Sequence, residues 1–288
     1  MSASGKLEIV NRVDELREHV AQWRAGGARI AFVPTMGNLH EGHVSLIEKA
    51  RSVADRIVSS VFVNPLQFGP DEDYQEYPRT LDVDAAMLEH AGVHLLFAPS
   101  VAEMYPHGEE AATRVVVPLL SDMLCGAHRP GHFGGMATVV CKLLNMVGAD
   151  TAVFGEKDYQ QLMIVRRMVE DLRIPTRIVG AATFRETDGL AMSSRNRYLT
   201  PQQRQRAPAL HRALVGAAGA LRAGRRDYDA IGAEGLHALE AGGFRPNYFE
   251  VRQARDLQPP HPECRAFVVL AAAWLGKARL IDNVQVDL

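Results

Sequence analysis

Two histidines three residues apart mark the segment of the chain best suited to chemistry. His40 and His43 lie in the run Pro-Thr-Met-Gly-Asn-Leu-His-Glu-Gly-His at 34–43, between a short apolar stretch and a helix-like pattern. On the opening turn of a helix, side chains three positions apart share a face, so both imidazoles should point at one place. The N–H groups and the positive dipole end of a helix N-terminus favour an anion there. We therefore predict a phosphate clamp whose imidazoles donate hydrogen bonds to an oxygen that gains charge during a reaction.

A metal site is the main alternative use of the histidine pair. The spacing differs from that of the zinc helix His-Glu-x-x-His, and no further histidine or cysteine stands nearby at ligand spacing. The pattern Gly-x-x-x-x-Gly-Lys-Ser/Thr is absent from the sequence, which excludes a Walker P-loop. Gly37 and Gly42 flank the pair and let the backbone turn tightly or approach a ligand closely.

Two later segments carry groups that suit phosphate binding. Lys157, in the run Gly-Glu-Lys-Asp at 155–158, follows a strand-like stretch and opens a helix-like one. It would supply a point charge to a phosphate, while Asp158 fits either a ligand contact or a helix N-cap. The run Met-Ser-Ser-Arg at 192–195 offers two hydroxyls and a guanidinium that can follow phosphates as they separate.

The elements that must position these residues alternate between strand and helix. Apolar strand-like runs lie at 28–34, 56–63, 93–98, 150–154 and 176–180. Helical patterns separate them, at 44–57, 81–91, 135–147 and after 158. This alternation predicts an α/β fold, a Rossmann-like doubly wound parallel sheet covered on both faces. Such sheets bind ligands at the carboxyl ends of their strands, where the histidine and Lys157 segments are expected.

A second, smaller α+β domain is predicted for the rest of the chain. Thr200-Pro201 is a good helix start, because proline favours the first helical position. Ala-rich helices are predicted at 201–223 and 228–241, and strands at 248–252, 266–273 and 278–282. We therefore predict a Rossmann-like, ligand-binding domain over 1–184 and a smaller domain over 185–288 that closes over it as a lid.

Composition narrows the class of protein. The 288 residues are 47% hydrophobic and 23% charged with a net charge of −2, which is ordinary for a globular protein and excludes a strongly basic nucleic-acid binder. Three widely spaced cysteines without a Cys-x-x-Cys pair indicate reduced thiols and a cytoplasmic location. The charged N-terminus lacks a signal-peptide pattern, and the longest apolar run, Ala266 to Leu275, is too short to cross a membrane. We predict that the chain binds neither membrane nor nucleic acid.

Six segments, in order along the chain, resemble the pantothenate synthetase (pantoate–β-alanine ligase) family of the nucleotidylyltransferase superfamily. The first is the histidine run, which alone identifies only the superfamily. The others are Val-Asn-Pro-Leu-Gln-Phe at 63–68, Tyr-Pro-Arg-Thr at 77–80, Arg-Pro-Gly-His-Phe at 129–133, Gly-Glu-Lys-Asp-Tyr-Gln-Gln-Leu at 155–162 and Asp-Gly-Leu-Ala-Met-Ser-Ser-Arg-Asn at 188–196. Together the six are specific, whereas the C-terminal third adds little.

The resemblance implies an AMP-forming ligase. Pantoate and ATP would give an enzyme-bound pantoyl adenylate and pyrophosphate, and the amine of β-alanine would then displace AMP to give pantothenate. His43 matches the family's proton donor, and His40 and Lys157 are the other predicted catalytic residues. The predicted ATP contacts are Met36, Gly37, His40, His43, Gly155, Lys157, Asp158, Phe184, Met192, Ser193, Ser194 and Arg195.

The resemblance also implies the substrate contacts and partners. Gln67 and Gln161 would bind pantoate, because an amide can both donate hydrogen bonds to its hydroxyls and accept them. Gln67 would also contact β-alanine. Asn64 and Arg129 are further predicted contacts, although Arg129 fits a surface ion pair equally well. Family members are typically homodimers.

Magnesium would arrive with ATP, held mainly by phosphate oxygens and water. Asp82 is the candidate protein ligand of the ion, in a stretch that Val83 interrupts, and the acidic run 71–73 is predicted to be a solvated loop.

Two alternative functions stay open. A related nucleotidylyltransferase would pass a nucleotide to a phosphate-bearing acceptor without ligation, and Gln67 and Gln161 in their contexts argue against it. A catalytically silent nucleotide-binding relative would have lost chemistry, and the intact histidine pair and Lys157 argue against that.

Overall fold

The computed structural model describes residues 6–69, 72 and 74–288, which form two compact units. The first unit runs to residue 156 and includes 164–182, and the second comprises 157–163 and 183–288. None of the helices in these described ranges is both long enough and apolar enough to cross a membrane.

The first unit is built on a parallel sheet. Its strands are β1 (Glu8–Val10), β2 (Ile30–Thr35), β3 (Arg56–Val61), β4 (Leu95–Phe97), β5 (Thr151–Gly155) and β6 (Arg177–Ala181). They pair in the order β1-β4-β3-β2-β5-β6, and every described pair is parallel. Sheet growth changes direction between β2 and β5, so the carboxyl ends of these two strands form the switch point where such sheets bind ligands. The predicted Rossmann-like fold is confirmed.

Helices connect these strands and supply the apolar faces that cover the sheet. They are α1 (Val13–Ala25), α2 (Glu41–Arg51), α3 (Leu81–Ala91), α4 (Val101–Met104), α5 (Cys125–His128), α6 (His132–Val147) and α7 (Tyr159–Asp171). The expected helix over 44–57 ends early, because Asp55 is bound to Arg29 by backbone and side chain and thereby starts β3. The sequence analysis did not anticipate β1 and α1.

The second unit packs helices on an antiparallel sheet. Its helices are α8 (Pro201–Arg206), α9 (Ala209–Arg222) and α10 (Tyr228–Ala241), and its strands β7 (Arg245–Gln253), β8 (Ala266–Leu275) and β9 (Ala278–Asp287) pair in chain order. The predicted single helix 201–223 is wrong, because Pro208 has no N–H to continue the hydrogen-bond ladder and separates α8 from α9. The apolar run at 266–275 is the buried central strand, β8.

Candidate active site

The turn between β2 and α2 is capped by its own two histidines. His40 is the N-cap of α2, and its Nδ1 accepts a hydrogen bond from the backbone N–H of Gly42 at 3.1 Å. His43 Nδ1 in turn accepts from the backbone N–H of His40 at 3.3 Å. The ring centroids lie 4.2 Å apart, so the imidazoles share one side of the helix N-terminus, as their spacing predicted.

This capping sets the tautomer of both rings. A neutral imidazole carries one N–H donor and one acceptor. Because Nδ1 accepts in both rings, the proton of each neutral ring is on Nε2. The local fold therefore presents two Nε2–H donors beside a helix N-terminus, which is the arrangement that an anionic oxygen needs.

Asp84 holds this turn in place and was missed in the sequence analysis. Its carboxylate, only 1% exposed on the first turn of α3, accepts from the backbone N–H groups of Asn38 at 2.9 Å and Leu39 at 2.8 Å, and from the Thr80 hydroxyl at 3.1 Å. Gly37 has a φ of 80°, and a Cβ there would lie 2.9 Å from Asp84 Oδ2. The close carboxylate therefore requires glycine at 37, and both oxygens of Asp84 serve the backbone.

Gln67 lies in a buried amide cluster after β3. Asn64 donates to Gln67 Oε1 and to the carbonyl of Gly135, both at 3.1 Å, and Gln67 Nε2 donates to the sulfur of Met36 at 2.9 Å. A Cβ at Gly135 would lie 1.9 Å from the Leu66 carbonyl oxygen, so only glycine allows α6 to approach so closely. Asn64 thus uses both amide hydrogens inside the fold and fixes which way the Gln67 amide points.

Tyr105 is a second residue that the sequence analysis missed. Its hydroxyl donates to Asn64 Oδ1 at 2.7 Å, and burial raises the pKa of this phenol above its usual value. The phenol is therefore a permanent donor that completes the orientation of the Asn64 amide.

Arg129 forms an ion pair, which is one of the two roles that the sequence analysis considered for it; the other was a substrate contact. Its Nε donates to Glu72 Oε1 at 2.7 Å and its Nη2 to Glu72 Oε2. Its Nη1 lies 2.9 Å from His132 Nε2, and His132 Nδ1 lies 2.7 Å from the carbonyl oxygen of Gln67. The chain of contacts Glu72–Arg129–His132 thus supports the Gln67 backbone. Asp71 and Asp73 lie outside the described residues.

The Glu72–Arg129 pair predicts an acid-dependent loss of stability. Burial alone would raise the pKa of Glu72, but the hydrogen bonds from Arg129 outweigh it and hold the pKa below 4.5. A depressed folded-state pKa stabilises the fold above pH 4.5, and that contribution disappears as pH falls through the folded pKa. We expect Glu72→Gln to lower the free energy of unfolding by roughly 1–3 kcal/mol near neutral pH.

The difference in the free energy of unfolding between wild type and Glu72→Gln should decrease steadily once the pH falls below 4.5. Urea unfolding from about pH 7 to about pH 3 measures it. Glu76→Gln, at an exposed position nearby, is the control. A difference that stays constant across this range would contradict the role given to the ion pair.

The remaining predicted residues belong to the second unit, apart from Gly155 at the end of β5. Lys157 is half-buried, and its Nζ lies 3.8 Å from Asp158 Oδ2. Asp158 is the last residue of the 3-10 turn Glu156–Asp158 and directly precedes α7, and Gln161 lies on the first turn of that helix.

Residues 184–196 of the second unit form a hairpin followed by a short 3-10 helix. Met192 N–H donates to the Phe184 carbonyl, and Ser193 caps the helix Ser194–Tyr198 by accepting from Arg195 N–H at 3.3 Å. Phe184 is exposed, whereas the run 192–195 is half-buried. The functional roles of all these residues stay predictions.

No cluster of three or more histidine, cysteine or carboxylate groups suited to a metal ion occurs in the described ranges. Asp82 is exposed on α3, and Asp84 is already engaged by backbone N–H groups.

The sheet is parallel, and two imidazole donors lie at the start of α2, which follows the switch-point strand β2. These features define a Rossmann-like, nucleotide-binding class of protein. The family model described as pantoate-beta-alanine ligase matches residues 8–285. The chain belongs to the pantoate–β-alanine ligase family, whose members are ligases.

Individual relatives agree with this assignment. The chain is 57% identical over 282 residues to the pantothenate synthetase of Pseudomonas entomophila, covering 98% of each chain, and 58% identical to that of Thioalkalivibrio sulfidiphilus, covering 98% of this chain and 99% of the relative. Its structure resembles the crystal structure of pantothenate synthetase from Thermus thermophilus, with a TM-score of 0.89, 48% identity, and coverage of 96% of this chain and 98% of the other.

A second similar structure contains ligands. It is the pantoate–β-alanine ligase of Francisella tularensis, described as complexed with beta-gamma ATP and β-alanine. The TM-score is 0.78 at 35% identity, covering 96% of this chain and 97% of the other.

Proposed function

We infer that the chain is an ATP-dependent ligase that joins pantoate and β-alanine to give pantothenate. Family membership over residues 8–285 supports the activity, and the ligands of the Francisella structure support ATP and β-alanine as substrates. The observation in this chain that carries the proposal is the double histidine cap, which engages Nδ1 of both rings and leaves the proton of each neutral ring on Nε2 at one helix N-terminus.

The first half-reaction requires that the pantoate carboxylate be positioned against ATP and that the charge on the phosphates be neutralised. A carboxylate oxygen of pantoate attacks the α-phosphorus of ATP, a new P–O bond forms, and the bond to pyrophosphate breaks. Negative charge builds on the phosphate oxygens, and the Nε2–H groups of His40 and His43 donate to them. His43 is the proposed proton donor. Lys157 and the run 192–195 are proposed to bind the departing phosphates.

In the second half-reaction the amine of β-alanine attacks the acyl carbon, an amide bond forms, and AMP leaves with the electron pair of the acyl–oxygen bond. The ammonium group loses two of its three protons, one before the attack and one after it, and the amide nitrogen keeps the third. β-Alanine is proposed to bind beside Gln67.

Gln67 and Gln161 are proposed to bind pantoate, and Asn64 orients the Gln67 amide. Asn64 supplies a donor to Gln67 Oε1, so the Gln67 amide presents its N–H groups on the side of Met36. An amide held in one orientation distinguishes a hydroxyl from an apolar group without adding charge. A direct contact of Arg129 with substrate stays a prediction beside its ion pair with Glu72.

Magnesium is proposed to enter on the phosphates of ATP rather than on protein ligands. The homodimer, the cytoplasmic location and the assignment of residues 185–288 as a lid over a domain at 1–184 also stay predictions.

The proposed function is tested by exchange of labelled pyrophosphate into ATP, with magnesium and pantoate and without β-alanine. Exchange that requires pantoate would establish the adenylate half-reaction. Protein that binds ATP and shows no exchange would contradict it and would favour a different acceptor or a silent relative.

Gln161→Ala is expected to raise the KM for pantoate about tenfold and to leave the KM for ATP within about twofold, because the amide is proposed to touch pantoate alone. Steady-state kinetics with each substrate varied in turn measure both constants. Gln205→Ala, at an exposed position on α8, serves as the matched control. An equal rise in both constants would contradict the assignment.

A further inference from the structure

A buried ion pair in the second unit lies outside the residues assigned so far. Asp282 on β9 is 3% exposed and accepts from Arg185 through both oxygens, at 2.7 Å from Nη1 and 2.9 Å from Nη2. His211 Nδ1 lies 3.3 Å from Asp282 Oδ2. Burial alone would raise the pKa of Asp282, but its contacts with His211 and Arg185 outweigh that effect and hold the pKa below its ordinary value. The carboxylate is therefore a fixed negative charge.

The ion pair also fastens the neighbouring residue, Asn283. Asp282 Oδ1 accepts from the backbone N–H of Asn283 at 2.7 Å, and Arg185 Nη2 donates to the Asn283 carbonyl at 3.3 Å. The main chain at 283 is thus held on both sides by one guanidinium–carboxylate pair. Because Asn283 is itself buried, its side chain has little freedom left.

The Asn283 side chain reaches the backbone of Lys157. Its Nδ2 donates to the Lys157 carbonyl oxygen at 3.0 Å, across 126 positions of sequence. Lys157 lies in the three-residue 3-10 turn Glu156–Asp158 that precedes α7. The Asn283 donor thereby ties the backbone from which the Lys157 side chain starts to strand β9.

The same ion pair closes the hairpin that leads to the run 192–195. Arg185 forms a bridge with Ala191, and its Nη1 donates to the Gly189 carbonyl at 3.1 Å. At the far end of the hairpin, Asn196 Nδ2 donates a hydrogen bond to Glu186 Oε1 at 3.0 Å. Both predicted phosphate-binding segments of the second unit are therefore linked to one ion pair, whose carboxylate is buried on β9 of the C-terminal sheet.

We propose that Asn283, held by the Arg185–Asp282 ion pair, is a positioning residue that places Lys157 for its contact with a phosphate of ATP. The inference rests on the proposed function of Lys157. It assigns a role to the C-terminal sheet, which carries no recognisable motif. Asn283 touches the lysine backbone and acts on the reaction only through the lysine ammonium.

A double-mutant cycle on Asn283 and Lys157 tests this role. The probe is a non-hydrolysable ATP analogue, whose dissociation constant is measured for wild type, Asn283→Ala, Lys157→Ala and the double variant. We expect each single change to weaken binding about tenfold and the double variant to bind no more weakly than Lys157→Ala. The KM for ATP should rise in Asn283→Ala, and the KM for β-alanine should stay within about twofold.

The proposal would be overturned if the two substitutions acted independently. In that case the fold-increase in the dissociation constant of the double variant would equal the product of the two single fold-increases, and Asn283 would not act through Lys157. Unchanged binding in Asn283→Ala overturns it as well. Asn247→Ala, which removes a partly buried asparagine that contacts Arg279 in the same sheet, is the control and should leave analogue binding unchanged.

Folding and function are separated by two further measurements. Thermal unfolding reports whether Asn283→Ala folds, and Asn283→Ser, whose side chain is too short to reach the lysine carbonyl, replaces it in the cycle if it does not. Pantoate-dependent pyrophosphate exchange by the wild type reports on the proposed function itself. Exchange by the wild type together with a multiplicative cycle would reject the positioning role alone.

Discussion

Replacing His43 by alanine is expected to slow pantoate-dependent pyrophosphate exchange by about 10²–10³-fold while weakening ATP binding by less than about tenfold. The reason is that a donor aimed at an oxygen gaining charge contributes more in the transition state than in the ground state. The structure supports this view because His43 Nδ1 is occupied by the backbone N–H of His40, which commits Nε2 to donation.

Two conservative variants separate the donor role from the capping role. Glutamine carries an N–H near the position of Nε2, whereas asparagine carries an acceptor near the position of Nδ1 and keeps only the cap. We therefore expect His43→Gln to retain more exchange activity than His43→Asn, with both folded. His90→Ala, at an exposed position on α3, is the control. Equal activities of the two variants, or full activity of His43→Ala, would remove the proposed role.

Asp84→Asn is expected to have the second largest effect. The amide would turn an N–H group toward backbone donors at Asn38 or Leu39 that now meet a carboxylate oxygen. Leaving such a buried donor unsatisfied costs about 1–3 kcal/mol of stability. Because the turn also sets the position of His40, a displacement on the order of 1 Å should lower the exchange rate about tenfold to 10²-fold.

Asp82→Asn is a closely matched control for this change. It removes the same charge from the same first turn of α3, but at an exposed position. Chemical denaturation and the exchange assay on both variants measure stability and rate. Equal effects of the two substitutions would show that net charge, rather than the contact of Asp84 with the turn, is responsible.

Local sequence determined the parts of this protein that depend on neighbours a few positions away. The spacing of His40 and His43 placed both rings on one helix turn, and apolar runs separated by helical periodicity predicted a parallel sheet. The start of α8 at Thr200-Pro201 was predicted in the same way, and the structure adds a capping box between Thr200 and Gln203. Pro208 also carried a local signal, which helical periodicity on both sides obscured.

Tertiary structure alone decided which distant groups support those parts. Asp84 reaches Asn38 across 46 positions, Glu72 reaches Arg129 across 57, and Asn283 reaches Lys157 across 126. These contacts join a side chain to a turn or a loop, so they follow neither the helical period nor the strand alternation that makes sequence patterns readable. A carboxylate beside backbone N–H groups differs in no local way from one in solvent, because only the fold brings the donors to it.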